Sequence, residues 1–218
     1  MKIHDNDMIK SMFMQNYFCV MPEYNMAFVN ISKNASVFLK CLAIYIKTGI
    51  YPSESVMYRL IGFKEDDGFL IPVSQFSKLP EYGNYLKFAV WRDPVDRLVS
   101  CYKLFCLEKE NRTYFKYLSL YKDSSFERFM QFVRFELGKS DPLYQDEHIR
   151  RQSDYYSPDE VDFIVDIKNL NRFLKEYNVP LPKESDNKTY VDFEISGTLF
   201  IDEVRELYKS DYNIMPNY

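Results

Sequence analysis

The chain has 218 residues, of which 46% are hydrophobic and 17% aromatic, and its formal net charge is −4 at pH 7. This length and apolar content fit a single domain over 1–218 with a substantial core, and they exclude a disordered or repetitive chain. The negative charge argues against general binding to nucleic acid, although it is compatible with a local basic cleft.

The beginning of the chain and its cysteines bear on the cellular compartment. Residues 1–8 are polar and acidic, and the apolar residues after them form neither a signal-peptide core nor a bilayer span. We therefore expect a cytoplasmic protein with no membrane span. The cysteines lack metal-ligand spacing, so we expect no metal and reduced packing residues at Cys19, Cys41, Cys101 and Cys106.

Apolar runs and helical patterns alternate along the chain. After an N-terminal extension over 1–24, the pattern predicts a strand over 26–31 and a helix over 35–47 that ends at Gly49. Residues 51–84 contain repeated Pro and Gly, which predicts an insertion of short elements and loops.

The rest of the chain repeats this alternation, with two more strands and four more helices predicted. The strands are 85–91 and 161–165, and the helices are 94–108, 126–137, 170–177 and 198–209. Ser124 or Ser125 is placed to cap the helix over 126–137, and Gly138 to stop it. Strands alternating with helices predict an α/β fold of three layers, α/β/α, with a mostly parallel central sheet and ligands at the carboxyl ends of its strands.

The first strand-to-helix junction contains Lys33, followed by the short side chains of Asn34, Ala35 and Ser36. The first N–H groups of a helix lack intrahelical acceptors and carry partial positive charge, so a helix start binds anions. Lys33 adds a full charge. The alternative is a solvated loop lysine, since the G-x-x-x-x-G-K-[ST] spacing of nucleoside-triphosphate P-loops is absent.

The second junction has Arg92 at the strand end, then Asp93 placed to cap the next helix and Pro94 suited to its first position. Ser100 follows two turns later. A guanidinium suits phosphate because it donates two parallel hydrogen bonds. The alternative is an ion pair of Arg92 with Asp93 or Asp96.

The two junctions have the same arrangement of residues. Each places a basic residue at a strand end beside a helix start, which favours one ligand with two separated anionic groups. Arg97 has two interpretations, a ligand-binding residue or a structural one, because Asp93 lies four residues before it at the spacing of a helical ion pair.

These residues resemble the nucleotide-binding motifs of sulfotransferases. The loop 32–36 looks like the one that holds a 5′-phosphosulfate, and 92–100 looks like the motif for a 3′-phosphate. Residues 146–152 and 207–214 resemble the D-E-H-W-x-P-Q stretch and the closing L-Y-x-x-D-Y/F pattern of one carbohydrate sulfotransferase group in sulfotransferase family 2. That group contains the chondroitin, dermatan, HNK-1 and uronyl 2-O-sulfotransferases.

The resemblance implies a P-loop-type α/β/α fold and transfer of a sulfuryl group from 3′-phosphoadenosine-5′-phosphosulfate (PAPS) to a hydroxyl of a carbohydrate or glycolipid, with PAP as product. Lys33 would stabilise the bridging oxygen, where negative charge builds as the S–O bond breaks. The implied cofactor-binding residues are Lys33, Asn34, Ala35 and Ser36 for the 5′ end, Arg92 and Ser100 for the 3′-phosphate, and Lys188 and Thr189 in a loop that closes on the cofactor.

A general base is also required, because the acceptor hydroxyl loses a proton as it attacks sulfur. Of the two histidines, His4 lies in the polar terminal segment and His148 lies in the motif-like segment. We expect His148 to bind the acceptor or act as the base, with Glu147 as the next candidate and Asp146 as a competitor. Some related sulfotransferases place a histidine between the phosphate motifs, and this chain has none over 51–86.

Two other functions are open at this point. A P-loop kinase of small molecules is one, although the glycines of its nucleotide loop and an obvious magnesium motif are missing. The other is a catalytically inactive module that binds PAP or PAPS, which the missing histidine keeps open. The sequence does not predict the acceptor, to which the insertion 51–84 would contribute, or the oligomeric state.

Overall fold

The computed structural model describes residues 16–62, 68–107, 125–182, 198–214 and 216–218. Its strands are β1 (Tyr17–Met21), β2 (Met26–Val29), β3 (Leu70–Pro72), β4 (Leu86–Trp91) and β5 (Phe163–Asp166). They form one sheet in the order β3-β1-β2-β4-β5. With the helices that accompany it, this sheet makes a mixed α/β fold, the class that the alternating pattern predicted.

The helices of the described part are α1 (Ser36–Thr48), α2 (Glu54–Leu60), α3 (Val73–Phe76), α4 (Pro94–Tyr102), α5 (Phe126–Leu137), α6 (Leu170–Glu176), α7 (Thr198–Leu207) and α8 (Lys209–Tyr212). Local signals set several of their ends. Asp93 caps α4 by accepting two backbone N–H bonds, and Ser125 caps α5 by accepting the N–H of Arg128 at 3.3 Å. Gly49 ends α1 with a left-handed φ of 73°. These three predicted helix ends are confirmed.

The sheet is parallel in one half and antiparallel in the other. β2, β4 and β5 pair in parallel, whereas β1 pairs antiparallel with both β2 and β3. A short turn over residues 22–25 joins β1 to β2, and parallel pairing would need a much longer connection. A mostly parallel sheet was expected, but only one half of this sheet is parallel. β1 also lies within the segment expected as an N-terminal extension, and β3 lies within the insertion 51–84.

Both faces of the sheet are covered, but by different kinds of structure. On one face, Phe28 of β2 belongs to a buried cluster with Leu39 of α1 and Phe173 of α6. The cluster on the other face includes Phe76 of the short helix α3 and Tyr155 from an irregular segment. In the described residues, the second face thus has no layer of long helices like the first, which departs from the expected three-layer arrangement.

Some expectations from composition can be examined in the described residues. All four cysteines are buried, and none forms a disulfide. Among the helices described, none combines the length and the apolar character needed to cross a bilayer. The described part also has no group of three or more His, Cys, Asp or Glu side chains arranged to hold a metal ion.

The parallel half of the sheet brings the two junctions together. Phe28 of β2 is in register with Phe88 of β4, so the carboxyl ends of these strands are neighbours. The loop before α1 follows β2 at this edge, and Arg92 follows β4. The starts of α1 and α4 therefore lie at the edge where parallel α/β sheets bind ligands.

Gly49 provides a test of the left-handed end of α1. Its φ of 73° disfavours any residue with a Cβ, while a Cβ placed there would meet no atom of the described residues within 4 Å. We expect Gly49→Ala to destabilise the fold by about 1–2 kcal/mol and lower Tm by roughly 2–8 °C in thermal unfolding. Gly62→Ala is the control, because that site is equally open but has no positive φ. An equal loss in both variants would contradict the conformational explanation.

Candidate active site

The loop between β2 and α1 has an unusual backbone. Lys33 and Ala35 have φ angles of 68° and 60°, in the left-handed region, whereas Asn34 between them does not. Alternation of left-handed and other backbone conformations is the pattern of anion-binding nests, but here the central N–H, that of Asn34, donates to Ile31 O at 3.2 Å. Neither Lys33 nor Ala35 is glycine, so each holds a conformation that costs roughly 1–2 kcal/mol. Such strain in a loop indicates a functional site.

The start of α1 leaves backbone donors for a ligand. No side chain of the described residues caps the helix at Ala35. The N–H of Leu39 donates to Ala35 O at 2.9 Å as the first bond of the helix. The N–H groups of Ser36, Val37 and Phe38 therefore have no acceptor within the helix, and the helix dipole adds partial positive charge there.

Asn34 is turned into the protein instead. Its backbone N–H donates to Ile31 O at 3.2 Å, and its side-chain Nδ2 donates to Val90 O at 2.6 Å and to Gln152 Oε1 at 2.5 Å. Only 2% of the residue is exposed. The Asn34 donors that were predicted to bind a phosphate are thus engaged with protein acceptors. The short amide side chain of Asn34 reaches the end of β4 and attaches the loop to that strand.

Arg92 lies beside this loop at the end of β4. Its Nη1 donates to the carbonyl oxygen of Lys33 at 3.0 Å, rather than to Asp93 or Asp96. Nε and Nη2 have no acceptor among the described residues and are available to an anion. Burial lowers the pKa of Arg92, and nearby Arg97 adds to this while Asp96 opposes it. The guanidinium remains a cation at neutral pH.

Arg97 is buried, with 2% of its surface exposed. Its three donor nitrogens bind carbonyl oxygens of Ser32 at 3.1 Å, Arg150 at 2.9 Å and Glu147 at 3.3 Å. Arg97 is therefore structural, but its partners are carbonyls and not Asp93. Because these acceptors are neutral, the charge of the guanidinium is not cancelled and adds positive potential behind the loop.

The motif-like segments 146–152 and 207–214 are in contact, although they are far apart in the sequence. The Tyr208 hydroxyl donates to Ile149 O at 2.7 Å, and Arg151 Nε donates to Leu207 O at 2.8 Å. These bonds make the two segments one structural unit behind the junctions.

His148 pairs with Asp146. Its Nδ1 lies 3.0 Å from Asp146 Oδ1, and its ring packs edge-on against Phe105 with centroids 4.9 Å apart. With the proton on Nδ1 for this bond, Nε2 is the basic nitrogen. Burial alone would raise the pKa of Asp146, but the hydrogen bonds from His148 outweigh it, so that pKa is lowered. Asp146 thus stays a carboxylate that orients the imidazole.

Arg97 of α4 links the loop of Lys33 to the segment of His148. Its Nε donates to Ser32 O in that loop, and its Nη2 donates to Glu147 O beside His148. The cation of the loop and the imidazole pair therefore belong to one region. Burial raises the pKa of the Cys101 thiol, also on α4, well above its ordinary value; the charge of Asp146 raises it further, and Lys33 and Arg97 oppose the rise.

The remaining predicted residues are distributed as follows. Ser36 is the first residue of α1 and is 8% exposed, and Ser100 is half-buried on α4. Glu147 is exposed, next to His148 in the chain. Lys188 and Thr189 lie outside the described residues.

The sequence that forms this site matches a known protein family. A family model described as "Sulfotransferase family" matches residues 16–178. The chain belongs to the sulfotransferase family. Searches of curated proteins and of solved structures gave no significant match. Membership supports sulfuryl transfer as the general reaction of this sulfotransferase, and it does not single out the carbohydrate group.

Lys40 is a buried lysine of this sulfotransferase that sequence analysis did not single out. It lies in α1 one turn after Ser36, it is 8% exposed, and its Nζ is 5.3 Å from the centroid of the Tyr58 ring. No ion pair to Lys40 occurs among the described residues. The signal available in the sequence was the i, i+4 spacing from Ser36, which puts both side chains on one helix face.

Lys40 is costly to bury. Burial lowers its pKa from the ordinary 10.5, and the thiol of Cys19 and the carboxylate of Glu147 oppose this only partly. The folded state therefore binds the Lys40 proton less tightly than the unfolded chain does. The penalty is full at neutral pH, where both states are protonated, and it disappears as the pH rises through the lowered pKa toward 10.5.

Replacement of Lys40 should reveal this penalty. We expect Lys40→Met to raise Tm at pH 7, by about 2–4 °C for each kcal/mol regained, and to give a smaller gain at pH 10. Lys47→Met, at an exposed position of the same helix, is the control and should give no gain at either pH. Thermal melts at both pH values measure the effect. A gain that does not shrink toward pH 10 would rule out the charge as its cause.

Proposed function

We propose that this sulfotransferase moves a sulfuryl group from PAPS to a hydroxyl of a carbohydrate or glycolipid acceptor and releases PAP. The observation that carries the proposal is the 3.0 Å bond from Arg92 Nη1 to Lys33 O, because it holds two anion-binding junctions side by side. PAPS has phosphate groups at its 3′ and 5′ ends. A site with two cationic junctions fits that donor better than it fits a ligand with one anionic end.

The residues present fit the two ends of the donor. The N–H groups at the start of α1 that lack a helical acceptor would accept the 5′-phosphosulfate, with Lys33 beside the oxygen that bridges phosphorus and sulfur. Nε and Nη2 of Arg92 would bind the 3′-phosphate, with the Ser100 hydroxyl as a further donor. Lys188 and Thr189 stay predictions for a loop that closes over the donor.

The proposed reaction is an in-line displacement at sulfur. The acceptor oxygen forms a bond to sulfur, the bond from sulfur to the 5′-phosphate oxygen breaks, and its electron pair stays on the phosphate of PAP. Lys33 would stabilise the charge that develops on that oxygen. The hydroxyl proton would pass to Nε2 of His148, whose ring the Asp146 carboxylate orients through Nδ1. Glu147 is the other candidate base.

The acceptor would approach between α1, α2 and the segment with His148. Lys40 of α1 has its Nζ 5.3 Å from the centroid of the Tyr58 ring of α2, and Tyr58 is 58% exposed. An exposed aromatic face next to a cation suits the stacking of a sugar ring and a polar contact to its substituents. Tyr58 lies in the insertion 51–84, which agrees with an acceptor-side role for that segment.

Ligand-dependent stabilisation tests the donor. A ligand at 100 times its Kd stabilises the native state by about 2.7 kcal/mol, which is roughly 5–10 °C in Tm for a domain of this size. We expect PAP to give such a shift in thermal unfolding and ATP with magnesium to give less. Equal or greater stabilisation by ATP would favour a kinase over the proposed function.

Sulfuryl transfer itself separates an enzyme from an inactive binding module. We expect incubation with PAPS and a panel of sugars, glycolipids and phenols to add the mass of a sulfuryl group to at least one acceptor. Lys33→Ala should then reduce kcat by about 10²- to 10³-fold, as the loss of one charge-stabilising group does. Lys175→Ala, at an exposed position of α6, is the matched control.

The same assay assigns the base. Activity that is lost in His148→Asn and retained in Glu147→Gln would support His148, and the reverse result would select Glu147. An activity that Lys33→Ala leaves unchanged would overturn the role of Lys33.

A further inference from the structure

The side chain of Gln152 lies between the two junctions and is fully buried. Its Oε1 accepts from Asn34 Nδ2 at 2.5 Å and from the backbone N–H of Arg92 at 3.0 Å. Its Nε2 donates to the carbonyl oxygen of Arg92 at 2.8 Å. One amide group therefore contacts the loop before α1 and the end of β4 at the same time.

Asp211 fixes the orientation of that amide. It is fully buried, and its carboxylate accepts from Gln152 N–H at 3.0 Å, Gln152 Nε2 at 3.3 Å and Ser153 N–H at 2.9 Å. A carboxylate only accepts hydrogen bonds, so Nε2 of Gln152 must face it. Oε1 must then face Asn34 and Arg92, which both donate. The carbonyl oxygen of Asp211 also accepts from Trp91 Nε1 at 3.0 Å.

We propose that Gln152 and Asp211 are positioning residues that set the distance and angle between the two anion sites, so that both engage one donor at once. This inference rests on the proposed function, since it assumes a donor with two anionic ends. Asp211 acts on Gln152, and Gln152 acts on Asn34 and Arg92. In this arrangement neither positioning residue needs to contact the donor.

The physical reason is that a ligand with two anchors depends on the spacing of its partners. Two anchors at the right spacing bind about 10²- to 10⁴-fold more tightly than one, and this gain is lost when the geometry prevents both from engaging together. A ligand with one anchor can follow whichever junction it occupies, so it loses little. The bisphosphate PAP should therefore be far more sensitive to Gln152 and Asp211 than either single-ended adenosine monophosphate.

Binding of three nucleotides by calorimetry tests the inference. We expect Gln152→Glu to raise the Kd for PAP by about 10²-fold and to raise those for adenosine 5′-phosphate and adenosine 3′-phosphate less than about 5-fold. The variant has the same shape but loses the Nε2 donor and places a second acceptor beside Asp211. Asp211→Asn is measured in parallel, because it introduces no additional charge. Gln75→Glu, at an exposed position, is the control and should bind all three nucleotides normally.

The possible outcomes distinguish three cases. A larger loss for PAP than for the monophosphates supports the inference. An equal loss for all three, or no loss for PAP, overturns it, because a general structural defect does not discriminate between one anchor and two. Failure of the unmodified protein to bind any of the three nucleotides overturns the proposed function.

Amide hydrogen exchange tests the geometry without any nucleotide. In Asp211→Asn we expect faster exchange over both 32–36 and 92–97, since a single amide restrains both segments. Acceleration in only one segment, or in neither, would overturn the positioning role even if the donor assignment were correct. The two experiments therefore fail independently.

Discussion

A buried amide with hydrogen bonds to two strand ends is the contact on which the rest of the site depends. Neighbouring parallel strands bring the two junctions to one edge of the sheet, but sheet pairing alone leaves the loops after the strands free to adopt many conformations. The bonds of Gln152 to Asn34 and Arg92 remove that freedom. Arg97 adds a second restraint by joining the loop at Ser32 to the segment that carries His148.

The site collects positive charge in a chain whose net charge is −4. Lys33, Arg92 and Arg97 lie in or behind it, and the hydrogen bonds of the two arginines go to carbonyl oxygens. Carbonyls satisfy the donors without neutralising the charge, so the potential stays available to an anion. The left-handed backbone at Lys33 and Ala35 adds a conformational cost. The uncancelled charges and the left-handed backbone therefore lower the free energy of unfolding, as is common at functional sites.

The features that the sequence could predict depend on residues that are close together in the chain. The caps at Asp93 and Ser125 and the end at Gly49 depend on residues within one turn, and Lys33 and Arg92 are marked by the apolar runs before them. The role of Gln152 depends on partners 118 and 60 residues away, and no local pattern records such contacts. The partner of Asn34 could not be predicted either, because an Asn side chain can donate a hydrogen bond to a phosphate or to a carbonyl oxygen. β1 was missed although its five buried residues form an apolar run, because a short turn and not a helical pattern follows it, and only its two neighbours in the sheet make it an inner strand.

The order of the strands has a consequence for synthesis on the ribosome. β1 and β2 are joined by a short turn, so this hairpin can form as soon as it emerges, whereas β4 must wait for a long intervening segment before it pairs with β2. The loop with Lys33 is thus synthesised early, before β4 and Arg92 are available to pack beside it. Asp211 follows Gln152 by 59 residues, so the restraint on both loops arrives late. A nascent chain would therefore hold a folded sheet for some time before both loops are fixed in place.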